Sequence, residues 1–96
     1  MGKLSFEWNE VKNLENRRKH GVSFHEAQYA FLNTKRVIAE NPGYSRKEQR
    51  YFCFGANRDR DGILTARFTY RQGRIRIFGA GYWRKGKQIY EQTNSI

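Results

Sequence analysis

The sequence predicts an α+β protein, a small antiparallel sheet with helices packed on one face. Three observations predict it. Two stretches near the N-terminus carry helical spacing and cap residues. Four later stretches, between residues 36 and 78, alternate apolar and polar side chains with period two. Short turn-forming clusters join them, as a compact fold requires. At 96 residues there is room for one domain, taken as residues 1–96.

Leu4-Ser5-Phe6-Glu7-Trp8 alternates and reads as a short half-buried strand. From Asn9 to about Lys19, Val11, Leu14 and Arg18 form a narrow stripe on a charged helix. Asn9 is a good N-cap, Glu10 and then Arg17, Arg18 and Lys19 match the helix dipole, and Gly21 supplies the stop. Ser23-Phe24-His25-Glu26 is a capping box that opens a second helix, with Phe24, Ala27, Ala30 and Phe31 on its apolar face up to Leu32. His25 falls off that face and reads as a surface residue.

Arg36–Glu40 is then a short strand, Asn41-Pro42-Gly43 a turn, and residues 44–47 a polar approach segment. Arg50–Ala56 is a second strand in this series and Asn57–Gly62 a turn. Ile63–Arg71 and Arg74–Phe78 are the last strands, joined by Gln72-Gly73, and Arg84 to about Thr93 is a terminal helix.

Composition narrows the function. Cys53, the single cysteine, lies in an aromatic run and reads as a buried inert thiol. With two histidines and one cysteine, no metal site of the usual zinc ligands is expected, and no cofactor. No segment is apolar enough for a membrane span or signal peptide, so a cytoplasmic protein with no membrane partner is expected. Nineteen Lys and Arg against nine Asp and Glu give a net charge of +10. The excess is concentrated: from Gly62 to Tyr90 there are seven basic residues and no acidic one. Such a stretch attracts phosphates.

The final hairpin gives that charge a geometry. If Gln72-Gly73 is a two-residue turn, Arg71 lies opposite Arg74, Thr69 opposite Arg76, and Arg67 opposite Phe78. Ala66, Phe68, Tyr70, Ile75 and Ile77 occupy the other, core-facing side. One face then presents Arg67, Arg71, Arg74 and Arg76 with no carboxylate near them in sequence. Guanidiniums facing one another repel, which points to an anion they would share, and arginine suits phosphate through its two parallel donors.

Phe6-Glu7-Trp8-Asn9, Lys12, Asn16, Lys19-His20-Gly21-Val22-Ser23-Phe24 and Glu26-Ala27 together resemble the opening of BrnT-type toxins. Ser45, Glu48 and Arg50, then Thr69-Tyr70-Arg71-Gln72-Gly73, Ile75-Arg76-Ile77 and Tyr90-Glu91, resemble the later half of that family. The resemblance runs from about Leu4 to Glu91. It implies a fold of the RelE/ParE-like toxin superfamily and a ribonuclease that arrests translation. It also implies a cognate ribbon-helix-helix antitoxin, with DNA bound only through that antitoxin. The chain departs from the family pattern at Gly79-Ala80-Gly81, where Ser-Ala-Arg is usual. It departs also at Gln49, where an acid is usual, and at Tyr44, where histidine is usual.

Metal-free RNA cleavage needs a base for the 2′-hydroxyl and cations for the phosphorane. Glu48 is the candidate base, with a structural ion pair as its alternative role, and Arg50 and Arg76 are the candidate catalytic arginines. Tyr44, Arg67, Arg71, Arg74 and Arg84 are the expected RNA-binding residues. His20 is a tempting general base but is placed to cap the first helix, and Trp8 reads as packing. Tyr82 and Trp83 are placed to stack on RNA or meet the antitoxin. The alternative reading is a weakened or inactive family member that binds nucleic acid or antitoxin without cleavage.

Overall fold

The computed structural model describes residues 4–42 and 48–96. Its elements are β1 (Phe6–Glu7), α1 (Glu10–His20), α2 (Phe24–Leu32), β2 (Val37–Asn41), β3 (Arg50–Ala56), β4 (Ile63–Arg71), β5 (Arg74–Gly81) and α3 (Arg84–Thr93). The expected elements are all present, in the expected order. Tyr44 and Ser45 lie outside the described residues.

The sheet order is β1-β5-β4-β3-β2. Strands β2 to β5 are antiparallel neighbours, whereas β1 joins β5 in parallel, with Phe6 opposite Ile75 and Glu7 opposite Arg76. The α+β class therefore holds with a mixed sheet. Gln72 (φ 53°) and Gly73 (φ 77°) form the tight turn between β4 and β5 with both central residues left-handed, as such hairpins require.

Helix α2 covers one sheet face. Phe31 meets Phe68 edge to face at 4.9 Å, and Gly55 lets the Ala30 backbone approach so closely that a Cβ would collide with it. Val22, Phe24, Ala27, Cys53, Leu64, Ala66, Phe68 and Ile77 complete the core there. Helix α3 lies on the opposite face: Gly86 packs on the side chains of Thr65 and Phe54, which alternate with Leu64 and Gly55 along their strands. The helices are thus shared between both faces, where one was expected. The Tyr90 hydroxyl fixes α3 by donating to Asn33 Oδ1 at 2.8 Å.

Helix α1 is inverted relative to expectation. Val11 and Leu14 are 64% and 53% exposed, and Asn13 and Asn16 face the core. The reason is hydrogen bonding. Asn16 Nδ2 donates to the carbonyls of Val22 and Ala80, each at 2.8 Å, and its Oδ1 accepts from Ala80 N. Asn13 Oδ1 accepts from Phe24 N at 2.7 Å. Two asparagines thereby satisfy backbone groups that burial would otherwise leave unpaired.

The caps follow the sequence in part. Asn9 accepts from Lys12 N, and Gly21 (φ 70°) closes α1 in the left-handed conformation. Gly21 N–H caps Arg17 O, and the His20 ring instead meets the Trp83 ring edge-on at 5.2 Å. Ser23 accepts from Glu26 N, but the Glu26 carboxylate turns away and accepts from the Tyr82 hydroxyl at 2.5 Å. Only half of the expected capping box forms.

Candidate nucleic-acid interface

The face that carries α3 is only partly covered by it. The remainder is built by β3, β4 and β5. Along β3, Arg50, Phe52 and Phe54 point to this side, and across from them lie Thr69, Arg67 and Thr65 of β4. In the hairpin, Thr69 pairs with Arg76 and Arg71 with Arg74, as expected. The expected pairing of Arg67 with Phe78 does not form. A register shift between Arg67 and Phe68 leaves Phe78 as an extra residue, and Arg67 lies opposite Gly79.

That bulge creates an aromatic platform. The Arg50 guanidinium lies 4.8 Å from the centre of the Phe78 ring, and the Arg67 guanidinium 5.6 Å from it. Both are cation–π distances. Among the described residues neither arginine has a carboxylate partner. Arg67 also lies over Gly79, in the space a side chain there would take, and the Trp83 ring does the same at Gly81. The two glycines that depart from the family pattern are thus filled by neighbours.

The other arginines differ from expectation. Glu7 of β1 accepts from Arg76 at 3.0 Å and lies 3.4 Å from Arg74, whose remaining donors reach Ser5 Oγ and Phe6 O. Arg71 meets Glu48 at 3.3 Å. Carboxylates of the chain therefore already engage Arg71, Arg74 and Arg76, which corrects the expectation of an arginine patch without acidic neighbours. These residues are separated in sequence by up to 69 positions, so only the parallel pairing of β1 brings Glu7 to them. Solvent-facing pairs such as Arg71–Glu48 are individually weak, about 0–1 kcal/mol, and fix position more than they stabilise, while the Glu7–Arg76 pair is half-buried.

Glu48 precedes β3 by two residues and is held by Arg71, and the Thr69 hydroxyl anchors the approach to that strand by donating to Gln49 O at 2.7 Å. Arg84 stands apart, beside Gly62, Ile63 and Lys87 at the start of α3. Tyr44 lies outside the described residues. Trp8 packs on Phe24 and His25, in line with a packing role. Burial pushes the Cys53 thiol up to about 12, against a smaller opposing pull from Arg36, so it stays protonated and unreactive at neutral pH. No helix among the described residues is long and apolar enough to cross a membrane.

Sequence reasoning named Arg50 and Arg67 but missed Phe78, which needs the bulge, and Glu7, which needs the sheet order. The alternation Arg-Ile-Arg-Ile was the usable signal, and it placed the face correctly.

A small mixed sheet thus presents two guanidiniums without carboxylate partners, among the described residues, beside one aromatic ring. The family model describing the BrnT ribonuclease toxin of a type II toxin–antitoxin system matches residues 8–86. The chain belongs to this family, and it is a ribonuclease toxin of a type II system with an antitoxin protein as its partner. No curated protein matches the chain.

Proposed function

We propose that RNA is cleaved on the open part of this face, by arginine and carboxylate chemistry that needs no metal ion. The observation that carries the reading is the Arg50–Phe78–Arg67 stack. Two guanidiniums beside a low-polarity ring, with no internal anion among the described residues, suit a phosphate whose charge grows in the transition state.

Glu48 takes the 2′-hydroxyl proton, held in place by Arg71. The 2′-oxygen bonds to phosphorus, the bond to the 5′-oxygen breaks, and that oxygen leaves with a proton from water. A 2′,3′-cyclic phosphate and a 5′-hydroxyl result. Arg50 and Arg67 stabilise the phosphorane; Arg76, oriented by Glu7, offers its remaining donors from the next strand. Arg71, Arg74 and Arg84 bind the flanking phosphates. The fold reads as RelE-like, the cell consequence as arrest of translation in the cytoplasm, and the antitoxin as a ribbon-helix-helix protein that carries the DNA-binding part. The family membership supports each of these.

The test is incubation of purified protein with defined RNA in excess EDTA. Cleavage to cyclic-phosphate ends, lost in Arg50→Ala and Arg67→Ala with the fold retained, is the expected outcome. Cleavage abolished by EDTA and restored by a divalent ion would refute the metal-free mechanism. Full activity in both variants would remove the stack from the site.

A further inference from the structure

Next to the arginine stack, α3 and the edge of the sheet enclose a groove of about 350 Å³, which includes Ala39, Phe52, Phe54, Trp83, Lys85 and Ile89 in its lining. We propose that this groove is a nucleobase subsite, which holds the base of the nucleotide whose phosphate meets Arg50 and Arg67. The inference rests on the reading of the arginine face as the substrate-binding face.

Two features select a base as the occupant. First, the lining is aromatic: Phe52 and Phe54 stack at 5.7 Å with their planes 19° apart, and Trp83 also lines the groove. Bases of single-stranded RNA are recognised by stacking on such rings. Second, the groove is continuous with the cations. Phe52 follows Arg50 on the same face of β3, about 7 Å along the strand, and lies directly opposite Arg67. Lys85 adds a cation on the α3 rim. An apolar slot with cations at its rims matches the chemistry of a nucleotide, a π-face joined to an anion. Glu40 also lines the groove, at its edge-strand rim, although its register opposite Tyr51 sets its side chain on the alternate face from Ala39.

The Thr65 hydroxyl, buried against Gly86, is closed off from the groove and marks where α3 seats on the sheet. The volume suits one ring system and is at the lower end for small-ligand sites.

Binding of 3′-mononucleotides and of ribose 5-phosphate to the full chain, measured by calorimetry, separates base from phosphate. The expected result is at least tenfold tighter binding of one or more mononucleotides. Ala39→Trp, on the edge strand, fills the groove and removes that advantage while ribose 5-phosphate binds as before. Should that variant fail to fold, an abasic oligonucleotide compared with its parent on the unmodified protein decides the matter. Equal binding of nucleotide and ribose 5-phosphate overturns the subsite, and leaves the arginine face standing if Arg50→Ala weakens both. Binding of neither overturns both readings. If Ala39→Trp weakens the toxin–antitoxin complex but not nucleotide binding, the groove belongs to the antitoxin and the base subsite is overturned.

Discussion

The Arg67 guanidinium occupies the side-chain space of Gly79: a Cβ built on that glycine would lie 2.6 Å from both Nε and Nη2 of Arg67. The family resemblance implies serine at this position, and the glycine here leaves Arg67 the room it occupies near Phe78. Restoring the family residue is therefore expected to harm the enzyme. Gly79→Ser should expel the guanidinium and lower RNA cleavage on the order of 10²-fold, close to the effect of Arg67→Ala. Stability should change by about 1 kcal/mol or less, since the displaced atoms end a flexible side chain. Cleavage rates beside urea melts check this, and a Gly79→Ser variant with full activity would show that Arg67 acts elsewhere.

Glu7 neutralises part of the face from the neighbouring strand. Its carboxylate contacts both Arg74 and Arg76, so Glu7→Gln frees two guanidiniums at once. RNA binding should become tighter at low salt, and the slope of log affinity against log salt steeper by up to about 1.4, about 0.7 for each guanidinium that gains a phosphate. The cost in stability should be about 1 kcal/mol, because the pair is part exposed and screened. An unchanged salt slope would mean that Arg74 and Arg76 do not meet phosphate.

Local signals in the sequence carried over well, and long-range ones did not. Ser23 capping α2, Gly21 ending α1 and the Gln72-Gly73 turn depend on residues within a few positions of one another, and each appears as expected. The face of Arg67, Arg71, Arg74 and Arg76 was legible because period two is a property of any single strand. The bulge at Phe78 and the Glu7 ion pairs were not, since both depend on which strand lies alongside. Helix α1 misled for another reason. Apolar periodicity marks the buried side only where burial is driven by apolar area, and here Asn13 and Asn16 are drawn in by unpaired backbone groups.

That inversion predicts an unusual stability pattern on α1. Asn16→Leu keeps the branched shape but strands the Val22 and Ala80 carbonyls and the Ala80 N–H. It should destabilise the fold by about 2–4 kcal/mol. Val11→Lys and Leu14→Lys, on the exposed side, should stay within about 0.5 kcal/mol. Chemical melts of the three variants give the comparison. A larger loss at Val11 or Leu14 than at Asn16 would place α1 the other way round.

Cys53 gives the fold a defined weakness in alkali. Its thiol is raised from 9.0 to about 12, chiefly by burial. In the unfolded chain the thiol ionises near its ordinary value, so above pH 9 the native state binds the proton that the unfolded state has lost. Stability then falls as pH rises from about 9 towards about 12, by at most about 1.4 kcal/mol per pH unit, and the thiol contributes no pH dependence below pH 8. Tyr82, also raised by burial and then by its bond to Glu26, adds a slope of the same sign. Comparing the protein with Cys53→Ala cancels that contribution. The substitution lowers stability at pH 8 through the cavity it leaves, and the gap between the two proteins should narrow by about 2 kcal/mol at pH 10.5. A gap that stays constant would mean the thiol ionises inside the fold, and Cys53 would then have to be reconsidered as a reactive group.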